Sequence, residues 1–310
     1  MKDLRKSNFL GVYGHAAIDI IYSSGSFPEP NTCVELLDRQ EFFGGTGANL
    51  ARIAATLDVK TALAAHVGDD FPDKFKGALN QAGVDVTDII KVRGERTPFI
   101  IMISDSGHNQ IGFVDQGAVR MQGEQPLRTH TVDSSKFVHI GTGRPEYMYK
   151  VAKRARWRKK TVCFDPAQEI HYVYTPETLK QILEYTHVLF MNSSEMETAK
   201  RYLNLEDDRE LLSYVRLIVN TLGDDGSRVI TDDDEVIIGA ITPDSVVDTT
   251  GAGDGFRAGF YAGLSRGLPV EECAWVGASA ASFIVENVGA QSSLPTWEMV
   301  QRRAARRKNV

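Results

Sequence analysis

Asp248-Thr-Thr-Gly-Ala-Gly-Asp254 stands directly before a helical pattern that runs from Gly255 to Gly267. A glycine-alanine-glycine turn entering a helix leaves several backbone N–H groups unpaired at the positive end of the helix dipole, where developing phosphate charge is stabilised. Asp254 at the lip of that anion hole would repel a resting phosphate. Taking a proton from a substrate hydroxyl as it attacks phosphorus gives the carboxylate a purpose. The plainer alternative makes Asp254 a helix cap and the glycines an ordinary turn, but capping needs one residue and not the whole string.

Upstream of this run, apolar strand-like segments alternate with helical patterns: Phe9 to Val12, Thr61 to Val67, Phe137 to Ile140, Thr161 to Phe164, Val188 to Met191, Leu217 to Thr221 and Val229 to Ile230. This alternation predicts an α/β fold, a mostly parallel doubly wound sheet with helices on both faces. Ligands should gather at the carboxyl ends of the strands, where Asp165, Asn192 and Gly223 fall. Two segments break the rhythm. Ile18 to Phe43 contains Ser-Ser-Gly-Ser and Phe27-Pro-Glu-Pro30, and Thr97 to Val114 reads as a hairpin around Asp105-Ser-Gly-His-Asn109. They are expected to form a small β-sheet lid, spanning about 16–43 and 97–115, on a single domain of residues 1–310.

Composition narrows the function classes. The chain has 310 residues, 42% of them hydrophobic, enough for a substantial core. No apolar run is long enough for a membrane span and the N-terminus has no signal-peptide core, so a cytoplasmic enzyme is the expectation. Cys33, Cys163 and Cys273 suggest neither a disulfide framework nor a zinc knuckle, and each is expected to be a small buried hydrophobe. A net charge of −6 argues against nucleic acid as partner. The cluster Arg302, Arg303, Arg306, Arg307 and Lys308 reads as a solvated helix face.

Several motifs carry chemistry. Phe43-Gly-Gly-Thr-Gly-Ala-Asn-Leu50 enters a helix with Leu50, Ile53 and Leu57 on one face; Gly45 lets a substrate approach the backbone, and Asn49 both donates and accepts hydrogen bonds. Tight strand-to-helix packing selects the same glycines. Asp19 can accept from two adjacent sugar hydroxyls or serve a turn. Asn192 and Glu195, three apart at a strand-to-helix junction, suit either a magnesium ion with its water shell or a reciprocal helix cap. Thr221-Leu-Gly-Asp-Asp-Gly226 can turn beneath a nucleotide or simply turn.

Taken in this order, the Gly-Gly-Thr-Gly-Ala-Asn turn, the Asn-x-x-Glu pair, the Thr-Leu-Gly turn and Asp-Thr-Thr-Gly-Ala-Gly-Asp resemble the ribokinase-like (PfkB) kinases over essentially the whole chain. A narrower resemblance, to archaeal nucleoside kinases of that family, rests on Gly14-His-Ala-Ala-Ile-Asp19, Phe27-Pro-Glu-Pro-Asn-Thr32, Asn109-Gln110, His139-Ile-Gly-Thr-Gly143, Phe190-Met-Asn192 and Gln291-Ser-Ser-Leu-Pro-Thr-Trp297. The resemblance implies a three-layer α/β/α core with a β-sheet lid and ATP-dependent phosphorylation of an alcohol. It implies Asp254 as general base, the amides of Gly251, Ala252 and Gly253 as anion hole, and Asp19, Gly45 and Asn49 at substrate hydroxyls. Asn31 and Gln110 become lid contacts, Asn192, Thr221, Gly223 and Gly226 nucleotide contacts, and Glu195 the magnesium residue. ATP and Mg2+ are implied, a monovalent cation such as K+ near the Asp248 loop is allowed, and a homodimer through the lid edges is expected.

One departure is informative. Many sugar kinases of the family carry Asp-x-Asn-x-Arg where this chain has Asp165-Pro-Ala-Gln168-Glu169. The missing arginine disfavours a charged sugar and fits an uncharged nucleoside, with ribokinase- or fructokinase-type action on a free sugar as the alternative. A ligand sensor on an inactive kinase fold would have no need to keep Asp254 with Asn192 and Glu195.

Overall fold

The computed structural model describes residues 7–107 and 109–306. Its central sheet has nine strands in the order β13-β12-β11-β10-β9-β8-β1-β4-β5. β1 (Asn8–Tyr13) and β4 (Thr61–Val67) pair in parallel, with β5 (Asp85–Lys91) beyond β4. On the other side of β1 come β8 (Ser135–Ile140), β9 (Thr161–Phe164), β10 (Val188–Asn192) and β11 (Leu217–Thr221), all parallel. β12 (Ser227–Ile230) and β13 (Glu235–Ile238) extend the edge antiparallel. Every residue of β4 is buried, as a strand covered on both faces requires. Strand order reverses between β1 and β8, which opens the crevice where ligands of such sheets bind.

Two apolar clusters lie on the two faces. One packs α1 (Thr46–Thr56), α2 (Asp73–Gln81), α7 (Ala252–Ser265), α8 (Val270–Ile284) and α9 (Trp297–Ala304) against the sheet; the other packs α3 (His130–Ser134), α4 (Pro145–Trp157), α5 (Pro176–Leu183) and α6 (Ser193–Leu203). Helices α7 and α8 approach closely because Gly255, Gly259 and Gly263 form a stripe at i, i+4 and i+8. A Cβ at any of them would press into Ala281 and Ile284, Val276 and Gly277, or Cys273. This contact fixes the helix that begins at Asp254's turn.

The second sheet has the order β3-β2-β6-β7, formed by β2 (Ala17–Ser24), β3 (Leu36–Gly44), β6 (Phe99–Ser104) and β7 (Gln110–Asp115). β2 and β6 are parallel, whereas β3 and β7 pair antiparallel to them. The sheet is tied to the core where Phe43 stacks on Phe75, ring centroids 4.4 Å apart, and where Phe42 lies against Gly289.

Three expectations change. Cys33 is exposed on the β2–β3 connection, while Cys163 and Cys273 are buried. Arg303 is no solvated residue: it is 7% exposed, lies over the Phe283 ring, and donates to Ser282 Oγ and Glu286 Oε1, anchoring α9 to α8. Arg302 and Arg306 are exposed; Arg307 and Lys308 lie outside the described residues. Finally, β5 and β13 went unread as strands because Asp85, Thr87, Asp88 and Lys91 in one, and an Asp232-Asp-Asp234 turn before the other, mask their apolar pattern.

Candidate active site

The carboxyl end of β9 meets the N-terminal turns of α7, where Asp165 Oδ2 lies 2.8 Å from Arg257 Nε. Gly251 caps that helix in the left-handed conformation, φ 79°, with no side-chain cap, and the turn faces the dipole's positive end, although Ala252 N donates to Thr249 O at 3.2 Å. Asp254 is the third residue of the helix and is 4% exposed. Its Oδ2 accepts from Asn49 Nδ2 at 2.8 Å and its Oδ1 from Arg257 Nη2 at 2.7 Å. Burial raises its pKa above the ordinary carboxylate value, with Arg257 and Asn49 opposing the rise. A buried carboxylate with elevated proton affinity is a competent base for a hydroxyl.

Asn49 projects from the first turn of α1 because Gly45 turns the chain there at φ 86°, packed against the backbone of His15 and Ala17. The Asn49 amide is itself oriented, since its Oδ1 accepts from Gln291 Nε2 at 2.7 Å and Gln291 Oε1 accepts from Arg52 Nη1 at 3.0 Å. Asp19 lies on β2 opposite Phe42, its carboxylate occupying the space a Cβ on Gly44 would need. Asp19 Oδ1 is buried and has no hydrogen-bond partner among the described residues. Burial, with the charges of Asp254 and Asp248, pushes its pKa up to about 7.

Asn192 and Glu195 form the reciprocal cap: Glu195 N donates to Asn192 Oδ1, while Asn192 N and Nδ2 donate to the two Glu195 oxygens. Glu195 also belongs to the charged site, its pKa pushed up to about 7 by burial and by Asp165. No set of three His, Cys, Asp or Glu side chains among the described residues is arranged to cage a metal. Mg2+ keeps waters and binds through one or two carboxylates together with phosphate oxygens, so Glu195 is a residue that could hold it. With both oxygens occupied, Glu195 would meet such an ion through its waters.

Thr221 ends β11, and the chain turns through Gly223 at φ 68° and Gly226 at φ 96°, closed by Leu222 N donating to Gly226 O at 2.8 Å. Gly226 has a packing reason to be glycine, because a Cβ there would strike Ile238 O, whereas Gly223 faces open space. Gly226→Ala should therefore cost about 1–3 kcal/mol in denaturant unfolding, and Gly223→Ala should cost less, since only its backbone angle is strained. Asn31 sits exposed in a left-handed turn, φ 68°, on the connection at the far end of β2 from Asp19, and is not brought to the other residues. Gln110 opens β7, and its side chain lies outside the described residues.

Sequence reasoning passed over Arg257, Gln291, Gly44 and the partners of Asp165. Asp165 is 1% exposed and receives Arg257 Nε at 2.8 Å and, at 3.6 Å, His139 Nε2. Glu169, where the family pattern has arginine, is 2% exposed and accepts from Gly143 N at 2.5 Å and Gln116 Nε2 at 2.9 Å. The one available signal was the polarity of Arg257 within the apolar pattern that follows Asp254.

Residues 7–297 match the family model described as pfkB family carbohydrate kinase. The chain belongs to the pfkB family of carbohydrate kinases. It is thus a phosphotransferase with an alcohol group as acceptor, and the pfkB family implies ATP with Mg2+. A nucleoside kinase of Methanocaldococcus jannaschii is 37% identical over 292 residues, 94% of each chain, and a cytidine kinase of Thermococcus kodakarensis is 30% identical, covering 90% of this chain and 97% of that one. The crystal structure of the M. jannaschii nucleoside kinase superimposes with a TM-score of 0.90 at 36% identity, over 98% of this chain and 99% of the other. Among the described residues no helix is long and apolar enough to cross a membrane.

Proposed function

We propose that this pfkB kinase phosphorylates nucleosides, moving the γ-phosphoryl group of ATP to the ribose 5′-hydroxyl. The observation that carries the proposal is the setting of Asp19. An unpartnered buried carboxylate oxygen needs a donor, and adjacent ribose hydroxyls supply it. On the same face of the second sheet, register places Phe42, Ile100 and Val114 in the rows beside Asp19. A free pentose leaves such an apolar surface uncovered, whereas a flat nucleobase covers it. Glu169 in place of arginine removes the cation that a charged acceptor would use. The names of the two relatives point the same way.

Asp19 and Asn49 hold ribose hydroxyls, Asn49 through the amide hydrogen not given to Asp254. Asp254 removes the 5′-hydroxyl proton as the O–P bond forms and the bond to the ADP leaving oxygen breaks. The amides of Gly251, Ala252 and Gly253 receive the negative charge of the transferring group. Mg2+, held by ATP oxygens and waters near Asn192 and Glu195, supplies charge neutralisation when bound. The Thr221 to Gly226 turn lies beneath the nucleotide. The second sheet, residues 16–43 and 97–115, is the lid of a single domain spanning 1–310.

A panel of adenosine, inosine, guanosine, cytidine, ribose and fructose with ATP tests the proposal. Nucleosides should be used with kcat/KM at least about tenfold above any free sugar, a margin of roughly 1.4 kcal/mol in transition-state binding. A ribose or fructose preference would assign the chain to the sugar-kinase alternative instead. The cytoplasm is the proposed compartment, in keeping with three unpaired cysteines. A K+ requirement near the Asp248 loop would appear as stimulation by KCl over choline chloride. The outer lid face exposes Leu37 and Phe113, 66% and 58%, and a second copy of the chain is proposed to cover it.

A further inference from the structure

Arg257 lies one turn beyond Asp254 on α7, its side chain only 12% exposed. Burying a guanidinium is costly unless its charge is matched, and here two carboxylates match it, one by a hydrogen bond and one by charge. Nη2 donates to Asp254 Oδ1 at 2.7 Å while Nε lies 2.8 Å from Asp165 Oδ2. One planar fork thus spans two carboxylates from different elements, the first turn of α7 and the carboxyl end of β9. A lysine ammonium, a point charge on a flexible stem, cannot reproduce that span. Asp254's remaining oxygen is held by Asn49 from α1. The carboxylate is therefore pinned from two helices.

We propose that Arg257 is the positioning residue of the transfer reaction, holding Asp254 as an oriented carboxylate and tying the turn that carries it to Asp165. This role rests on Asp254 being the base. Simple charge balance for Asp165 would not require a hydrogen bond to the reacting carboxylate. Apart from the Asn49 amide, the other groups that act on Asp254 do not favour its ionised form. Asp19 on β2, Asp165 after β9 and Glu195 on α6 are carboxyl groups, which add negative charge wherever they ionise. His139 on β8 is kept neutral by burial, and α8 presents small and apolar side chains to that turn of α7. Arg52 on α1 reaches it only through Gln291 and Asn49. Arg257 is the cation in contact with Asp254, and burial raises the proton affinity that it must oppose.

Arg257→Gln and Arg257→Lys, measured for kcat against pH, for KM of ATP and of the nucleoside, and for thermal unfolding, test this role. Arg257→Gln should lower kcat at pH 7 by about 10²-fold with both KM values within about threefold, an interaction expressed in the transition state and not in ground-state binding. Its acidic limb should move to higher pH by about one unit or more, because removing the adjacent cation lets Asp254 keep its proton longer. Arg257→Lys should leave the limb near its original place yet lose roughly tenfold in kcat, since the charge is kept and the fork is lost. If Arg257→Gln proves too unstable to assay, the lysine variant carries the test: full kcat in Arg257→Lys overturns the proposal. An unmoved limb in a folded Arg257→Gln protein also overturns it, as does a loss lying entirely in KM for ATP, which would make Arg257 a phosphate ligand. Asp254→Asn with undiminished turnover would instead remove the base itself.

Discussion

Asp254→Asn is expected to lower kcat by roughly 10²–10⁴-fold, the span that a positioned general base contributes, while KM for the nucleoside stays within about threefold. The amide is nearly the same size and its oxygen can still accept from Arg257, so the fold and the acceptor pocket should survive. What it cannot do is take a proton from a hydroxyl. The residual rate should also lose most of its dependence on pH along the acidic limb, because the titrating carboxylate is gone. Steady-state kinetics from pH 5 to 9, with binding measured calorimetrically, check both parts. A variant with near-parental kcat would mean that the proton leaves by another path.

Asp19→Asn is expected to lower kcat/KM for the nucleoside by roughly 10²–10⁴-fold, since two hydrogen bonds to a charged acceptor are weakened or lost at about 1.5–3 kcal/mol each. It should also stabilise the unliganded protein at pH 8. The native carboxyl holds its proton up to about pH 7, well above the ordinary carboxylate value of 3.8 at which the unfolded chain releases it. Between those values the native state binds more protons, so the carboxylate erodes stability as pH rises through that window. A neutral amide at this position would carry no such penalty. Melting temperatures of parent and variant should therefore diverge from pH 5 to pH 8, with the variant higher at the alkaline end. In the parent, nucleoside affinity should weaken as pH falls below about 7, because the acceptor becomes protonated. Parallel melting curves would contradict the raised proton affinity.

The sheet was legible because its inner strands are mostly apolar: Thr61 to Val67 and Val188 to Met191 leave little else to be. The Asp248 to Asp254 run was equally clear, being a local device whose parts are consecutive. What could not be read is what arrives from far away. Gln291 reaches Asn49 across 242 positions, and Arg257 finds Asp165 only once α7 has docked on the carboxyl end of β9. Gly44 was overshadowed by Gly45, because its role depends on where the Asp19 carboxylate comes to lie and not on its own backbone. Asn192 and Glu195 show the opposite limit. Their spacing permitted a cap or a metal role, and the cap is formed in full while the pair stays inside the charged cluster.

Strand β3 of the lid runs through Gly44 and Gly45 into α1, whose first turn carries Asn49, with no intervening linker. The second sheet and the tether on Asp254 are thus one piece of chain. If the second sheet swung outward about Gly45 it would drag on the residue that steadies Asp254, and an open enzyme would also be a disarmed one. Such a mechanical interlock would spare ATP from futile attack by water while the acceptor is still awaited.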